Sequence, residues 1–250
     1  MLPEFIRKGY LHLSGFTDDR DVYRCRSYVE GHYRPKQDAQ EQAVSIIERL
    51  QHEECFKRMV ASQPLQDLLK LFLGPDLCIL GYDALWINAP KDKNPVLLKG
   101  VHNDAWTGTS VNTLFVKFFL TDCDKYNGVT MYDGSHLQGM IPVRNRAPAV
   151  KVKFPKRNII AKAGDILIWH PLTLHSTTGH SGKNTRVSIT SRYSSTETDF
   201  SSQERALGYR TLSVGPLNHI LRLIGSDSLT PFRTYGGTVA IDKRMRNIYK

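Results

Sequence analysis

The first seventy-five residues carry apolar positions at helical spacing. Apolar residues recur every three or four positions across Asp38–Ala61 and across Leu65–Leu73, which predicts two amphipathic helices. A third helix is predicted from an N-cap at Thr17-Asp18-Asp19 through Tyr28, after a short strand at Tyr10–Phe16. Each helix has one apolar face, so we expect the three to pack against a sheet.

From Leu77 onward the apolar residues fall in short runs that turn signals separate. The run Asn112–Thr121 is apolar on both faces, which is typical of a strand covered on both sides. Many short strands in succession predict a sandwich or jelly roll, so the fold class is mainly β with flanking helices. The predicted strands are Cys78–Asn88, Val96–Val101, Asn112–Thr121, Val129–Tyr132, Val150–Phe154, Asn158–Ala161, Ile166–Trp169, Leu172–His175 and Arg186–Tyr193.

The chain shows no linker and no internal repeat, which predicts one domain over residues 1–250. Its parts are a helical region at 1–75, a jelly-roll core at 76–195 and a helical extension at 196–250. In the extension, helices are predicted at Gln203–Leu212 and Leu217–Ile224.

The four cysteines are scattered and show no CxxC spacing, and no apolar run is long enough for a signal peptide or a membrane span. We therefore expect reduced thiols, a cytoplasmic location and no membrane partner.

The formal net charge is +10 and it is unevenly spread. Seven basic residues and no acidic residue lie between Leu137 and Gly164, in a segment bounded by Arg144 and Lys162. Our first interpretation is a solvated basic face, and the alternative is a surface that attracts an anionic small molecule. Nucleic acid is not the expected partner, because the run lacks interleaved aromatic residues.

His102, Asp104 and His175 form a candidate metal site. Side chains two apart in a strand point the same way, so His102 and Asp104 can face one interior while Asn103 points away. His175 would reach them from another strand. Two histidines and one carboxylate are the ligand set that holds Fe(II) on one face and leaves the opposite positions open.

Arg186, eleven residues after His175, begins an alternating stretch in which it shares a face with Ser188. A guanidinium and a hydroxyl on one face suit a carboxylate, so the pair is predicted to anchor an anionic co-substrate beside the metal.

These motifs resemble the phytanoyl-CoA dioxygenase-like branch of the Fe(II)/2-oxoglutarate-dependent oxygenases. The matching stretches are KGYLHLSGF, VHNDAW, LTDCDKYNGVTMYDGSHLQG, AGDILIWHPLTLHST and TRVSITSRY, and the resemblance departs from the family where Asp133 replaces a usual proline in a turn. It implies a double-stranded β-helix that uses Fe(II), 2-oxoglutarate and O2.

Carried over position by position, the resemblance implies that His102, Asp104 and His175 ligate the iron. Arg186 would pair with the distal carboxylate of 2-oxoglutarate. The further contacts that it implies for the co-substrate are Thr177, Ser188 and Asn88.

The substrate pocket is predicted to include Trp106, just past the metal ligands, and Lys117, which interrupts an apolar strand. A buried lysine is costly without a partner, so a ligand-binding role is favoured over a lysine that reaches solvent from an outer face. In halogenating relatives a small residue replaces the carboxylate, so Asp104 indicates hydroxylation with release of succinate and CO2.

Two alternatives remain open at this point. One is a metal-dependent cupin-like enzyme that uses no keto acid, and the other is a non-catalytic jelly-roll module that binds an anionic partner through the basic segment. The expected partner is a small-molecule substrate of anionic character, and the oligomeric state is left open.

Overall fold

The helices of the N-terminal region pack on one side of a large antiparallel sheet. The computed structural model describes residues 1–34, 39–81, 83–90, 100–105, 109–144, 147–148, 151–177, 185–196 and 208–223. Its helices are α1 (Leu2–Lys8), α2 (Asp19–His32), α3 (Ala39–Leu50), α4 (Glu54–Val60), α5 (Gln63–Leu73) and α6 (Pro216–Leu223), with a short 3-10 helix at Ser135–Gln138.

Sequence pattern explains where α1 and α2 begin and end. Gly9 ends α1 in a left-handed conformation (φ 85°), which glycine adopts without steric cost. A Cβ at Gly9 would lie 2.5 Å from the Thr173 hydroxyl, so the close approach of these segments also needs glycine. Asp18 caps α2 as predicted, because its carboxylate accepts the backbone N–H groups of Arg20 and Asp21.

The predicted helix Asp38–Ala61 was wrong as a single element. Two helices, α3 and α4, replace it, and Asp38 lies outside the described residues. The break falls at a polar stretch where His52 and Glu53 donate to carbonyls three residues back, a tightened turn that ends α3. The turn lets the apolar faces of both helices pack in the same core. The periodicity of apolar residues continues through the turn, so it did not indicate the break. Helix α1 was not predicted.

The strands form a large sheet, a small sheet and a two-stranded ribbon. In the large sheet the order is β1-β9-β4-β11-β2-β12, and β3 also pairs with β11. The small sheet has the order β10-β5-β8, and β6 pairs with β7. The strands are β1 (Tyr10–Leu13), β2 (Leu77–Leu80), β3 (Ala84–Asn88), β4 (Thr113–Phe119), β5 (Val129–Tyr132), β6 (Val143–Arg144), β7 (Ala147–Pro148), β8 (Lys156–Ile159), β9 (Ile166–Trp169), β10 (His175–Thr177), β11 (Arg186–Ser195) and β12 (Tyr209–Ser213).

The large sheet is covered on both faces. On the helix side, alternate residues of its central strands join one core with the helices, among them Val116, Ile168 and Ile189. On the other side, Phe115, Leu167 and residues of the small sheet form a second core. This arrangement confirms the predicted mainly-β fold class, with a jelly-roll core packed against N-terminal helices; the large sheet stays open instead of closing on itself.

Several predicted elements differ from the structure. Cys78–Asn88 is divided into β2 and β3, and of the predicted strand Leu172–His175 only His175 is in a strand, because a turn in which Thr173 N donates to His170 O precedes it. The helix predicted at Gln203–Leu212 was wrong over 209–212, where β12 pairs with β2; its start lies outside the described residues. Residues 151–154 form no strand, although Val150–Phe154 was predicted as one. Most of Val96–Val101 lies outside the described residues, and Val101 is not in a strand. Within the described part of the chain, no helix is long and apolar enough to cross a membrane.

Candidate active site

Backbone pairing brings the His102–Asp104 segment to His175. His102 N donates to His175 O at 2.9 Å, and His175 N donates to His102 O at 2.8 Å, so the two residues form an antiparallel bridge at the edge of the small sheet. Asp104 N donates to Pro171 O at 2.8 Å. Asn103 points away, and its amide donates to Ile141 O at 2.7 Å. As predicted, His102 and Asp104 therefore point to one side and Asn103 points to the other.

The three side chains converge on one point. One ligand atom from each lies within 4.8 Å of the other two, and all three residues are buried. Asp104 Oδ1 lies 3.7 Å from His102 Nε2, and Oδ2 lies 3.5 Å from His175 Nε2, separations of atoms that can share an ion.

Carbonyl groups behind the two imidazoles orient them toward that point. His102 Nδ1 lies 2.7 Å from Gly100 O, and His175 Nδ1 lies 3.1 Å from Thr173 O. A carbonyl oxygen only accepts, so each Nδ1 carries the proton and each Nε2 presents its lone pair.

Trp169 fixes the carboxylate, and sequence reasoning did not single it out. Its Nε1 donates to Asp104 Oδ2 at 3.0 Å, while its ring stacks on Phe115 with centroids 5.2 Å apart. The alternation of β9 was the available signal, because Trp169 and Leu167 share the inner face.

Arg186 is buried at the start of β11, and its guanidinium faces the Asn127–Gly128 turn. Its Nη1 donates to the carbonyls of Asn127 and Gly128, the latter at 3.2 Å. The turn is tight, since a Cβ at Gly128 would lie 2.6 Å from Asp124 O. Nε of Arg186 has no hydrogen-bond partner among the described residues. Burial lowers the pKa of this guanidinium below its ordinary value.

Asn88 and Ser188 lie near Arg186 on the paired strands β3 and β11, whereas Thr177 is on the cavity wall with the candidate metal ligands. Asn88 is opposite Arg186 in the register of β3 and β11, and neither polar atom of its buried amide has a partner among the described residues. Ser188 is fully buried, and Thr177 lines the cavity beside the metal cluster. The structure thus places all three of these predicted residues near Arg186 or the cluster.

Lys117 lies inside, with 7% of its surface exposed, so the outer-face alternative was wrong. Its Nζ donates to Thr190 Oγ1 at 2.9 Å and to Ser188 Oγ at 3.4 Å, and it lies 5.5 Å from the Trp86 ring centroid. Trp106 lies outside the described residues.

A cavity of about 200 Å³ opens beside the cluster, between the two sheets. Aromatic and aliphatic side chains form much of its wall, and the charged residues on its described wall, apart from the histidines, are Asp104, Lys117 and Arg192. Arg192 was missed by sequence reasoning, although it continues the Arg186-Ser188-Thr190 face of β11 by one more step.

Comparison with known proteins agrees with this geometry. The family model described as Phytanoyl-CoA dioxygenase (PhyH) matches residues 5–188. The chain belongs to this family. The predicted resemblance is therefore confirmed, and the match includes the three candidate metal ligands and Arg186. No curated protein sequence matches the chain significantly.

Solved structures with this PhyH fold are similar over most of the chain. The apo form of the non-heme monooxygenase ThoJ is 16% identical, with a TM-score of 0.67 over 99% of this chain and 98% of that one. The epimerase SnoN of nogalamycin biosynthesis, in complex with Fe3+, alpha-ketoglutarate and nogalamycin RO, is 17% identical (TM-score 0.65, 86% and 88% covered). HygX from Streptomyces hygroscopicus, with nickel and 2-oxoglutarate bound, is 15% identical (TM-score 0.58, 78% and 85% covered).

The basic segment of this PhyH-family chain lies away from the cavity. Its described residues Lys151, Lys153, Lys156, Arg157 and Lys162 are exposed, and none of them is on the described cavity wall. Two of them pair with acids, Arg157 with Asp133 at 3.3 Å and Lys162 with Asp122 at 2.7 Å. These observations favour the solvated-face interpretation.

Proposed function

We propose that this protein is a non-haem Fe(II)- and 2-oxoglutarate-dependent dioxygenase that hydroxylates or otherwise oxidises a small molecule, with release of succinate and CO2. The observation that carries the proposal is the convergence of His102, Asp104 and His175 on the wall of a cavity. Family membership supports the same reaction class.

The donor set fits Fe(II). Two neutral imidazole nitrogens and one carboxylate oxygen on one face match the ligand preference of that ion and leave positions for other ligands. Bound iron would supply O2 activation in this pocket. The roles of the protein groups are to hold the metal and to orient the ligands, with Trp169 fixing the angle of Asp104.

The co-substrate would lie between the metal and Arg186. A carboxylate accepting from Nε of Arg186 would satisfy a buried donor that has no described partner, and Asn88 could contribute its unsatisfied amide. Ser188, two positions after Arg186 on β11, and Thr177, on the cavity wall, would add hydroxyl donors. Bound co-substrate and substrate also exclude water from the metal.

Asp104 favours hydroxylation over halogenation, since a halide would need the coordination position that this carboxylate fills. The small-molecule substrate would lie on the cavity wall that contains Lys117, and Trp106 remains a predicted part of that wall. The cations inside the cavity, more than the exposed basic segment, support the expected anionic character of the substrate.

We further propose that the chain is one domain with the boundaries predicted from its sequence, and that it works in the cytoplasm. The second point is supported by its four cysteines, which are all buried and form no disulfide.

Anaerobic reconstitution tests the function directly. Protein loaded with Fe(II) and 2-oxoglutarate should show the visible charge-transfer absorption of the chelated keto acid. Metal-replete protein that lacks this band would contradict the proposal. Turnover without 2-oxoglutarate would favour the cupin-like alternative, and tight polyanion binding without succinate release would favour the binding module.

Arg186→Ala should weaken the binding of 2-oxoglutarate much more than the binding of Fe(II). We expect the affinity for 2-oxoglutarate to fall by on the order of tenfold to a hundredfold, because a charge-assisted pair is lost, with Fe(II) affinity little changed. Titration of the charge-transfer band and of metal binding measures both. An equal loss of the two affinities would mean that Arg186 is structural.

A further inference from the structure

Arg192 is on the same face of β11 as Arg186, at the other end of the strand, and unlike Arg186 it is on the described cavity wall. The two residues are six positions apart, roughly 20 Å along an extended strand. A five-carbon keto diacid cannot span that distance, so a co-substrate anchored at Arg186 does not reach Arg192. Arg192 is buried, with 6% of its surface exposed, and it lines the cavity.

The strand register places Arg192 at the level of the metal. Arg192 is opposite Phe115 on β4, and Phe115 is opposite Trp169 on β9. Trp169 in turn donates to Asp104. Neighbouring strands lie about 4.8 Å apart, so Arg192 and Trp169 are separated by roughly 10 Å across the cavity wall. A group bound at Arg192 would therefore hold the adjoining part of a molecule beside the iron.

Lys117 adds a second cation to that wall. It is opposite Thr190, the residue two positions before Arg192, and diagonal neighbours in a sheet have side chains within reach of each other. Thr190 accepts from its ammonium, and the Trp86 ring lies beside it. Two buried cations and a hydroxyl on one face suit a carboxylate.

The other groups near Arg192 limit the chemistry of the ligand. Its Nη1 donates to Thr109 Oγ1 at 3.3 Å, and Asp83 interacts with it electrostatically. The rest of the described wall around the pair is largely aromatic and aliphatic, with Phe115, Trp86 and Met131. The ligand should thus combine one anionic end with an apolar body.

On the basis of the proposed function, we infer that Arg192 and Lys117 form the substrate anchor. It binds the carboxylate of a small organic acid whose apolar body lies against Phe115 and Met131 beside the iron. Arg192 determines the choice of acid over neutral molecule, and Lys117 assists it.

Matched pairs of acid and amide test this inference. Phenylacetate with phenylacetamide, and 3-phenylpropanoate with its amide, would be titrated by calorimetry into anaerobic protein holding Fe(II) and saturating 2-oxoglutarate. We expect at least one acid to bind on the order of tenfold to a hundredfold more tightly than its amide. Arg192→Met should abolish the preference, Arg192→Lys should keep part of it, and Lys117→Met should reduce it. Arg24→Met, which removes an exposed cation on α2, should leave it unchanged.

The charge-transfer band serves as the independent readout. If the band forms in Arg192→Met at the same 2-oxoglutarate concentration as in the wild type, the variant is folded and the co-substrate site is separate. Equal binding of every acid and its amide, or a preference that survives Arg192→Met, would overturn the inference. Loss of the band in Arg192→Met, with the band kept in Arg192→Lys, would assign this cation to the co-substrate and also overturn it. A missing band in the wild type counts against the proposed function, whereas the acid preference and its loss in Arg192→Met are read by calorimetry alone.

Discussion

The two faces of strand β11 contain opposite kinds of residue although they alternate along one segment. On the helix side, Val187, Ile189 and Tyr193 join the apolar core, and the Tyr193 hydroxyl donates to Val60 O at 2.7 Å. On the cavity side, Arg186 and Arg192 are also buried, with 2% and 6% of their surface exposed. The first face holds helices to the sheet, and the second holds buried charge beside the candidate metal site.

The difference shows where this fold gains stability and where it gives some up. Burial of apolar area on the helix side stabilises the protein. On the cavity side, Nε of Arg186 and the amide of Asn88 lack partners among the described residues, and they cost free energy until a ligand satisfies them. Changes on one face should therefore alter stability, and changes on the other should alter binding.

Asp104→Asn should have the largest effect of these variants, and it should change metal binding and leave stability nearly unchanged. We expect metal affinity to fall by more than about a hundredfold, because even an outer-shell partner contributes roughly 10- to 100-fold. The amide oxygen can still accept from Trp169, so the free energy of unfolding of metal-free protein should change by less than about 1 kcal/mol. Metal titration and denaturant unfolding measure the two quantities, with the exposed Asp67→Asn as control. A large loss of stability would contradict the division between the faces.

Ile189→Ala should show the reverse pattern. Ile189 is fully buried on the helix side, and its truncation should cost about 2–5 kcal/mol of unfolding free energy. Binding of 2-oxoglutarate below the melting temperature should stay near that of the wild type. Ile220→Ala on the exposed surface of α6 should cost less than about 0.5 kcal/mol. Thermal unfolding and the charge-transfer band distinguish these outcomes.

Asp83 departs from the apolar character of the helix side. It lies by a cavity between β3 and α3, and burial raises its pKa to about 6, although the Ser191 hydroxyl and nearby arginines act in the opposite direction. The folded state then holds this proton between about pH 4 and 6 while the unfolded state releases it, so stability falls as the pH rises through that window.

Asp83→Asn should remove this penalty. The variant should match the wild type near pH 4 and exceed its unfolding free energy above about pH 6, by up to roughly 3 kcal/mol for a shift of two pKa units. Melting temperatures across this pH range measure the difference. An equal gain in unfolding free energy at pH 4 would show that the charge of the Asp83 carboxylate does not cause the gain.

Trp169→Phe should have the smallest effect. The variant keeps an aromatic ring to stack on Phe115 but loses the donor to Asp104, so metal affinity should fall by about tenfold. Metal competition assays measure this loss. Unchanged affinity would mean that the carboxylate needs no orienting partner.

Local pattern was enough to predict much of this molecule. The caps and periodicity placed α2 and α5, and the apolar run Ile166–Trp169 gave β9 with its observed bounds. Parity in His102-Asn103-Asp104, together with the position of Arg186 after His175, indicated a family that the PhyH match confirms. Each of these signals lies within a few residues, where side-chain direction follows from the backbone alone.

Tertiary structure decided the rest, because it depends on residues far apart in the chain. Residues 209–212 are in a strand since Cys78 and its neighbours in β2 pair with them, and no local pattern encodes that partner. The same holds for Trp169 and Arg192. They lie in one row of the large sheet, two strands apart, and the register of β9, β4 and β11 sets that row. The sequence by itself determined the candidate metal ligands and the family, whereas only the packing of two sheets decided which charged side chains share a cavity wall with those candidates.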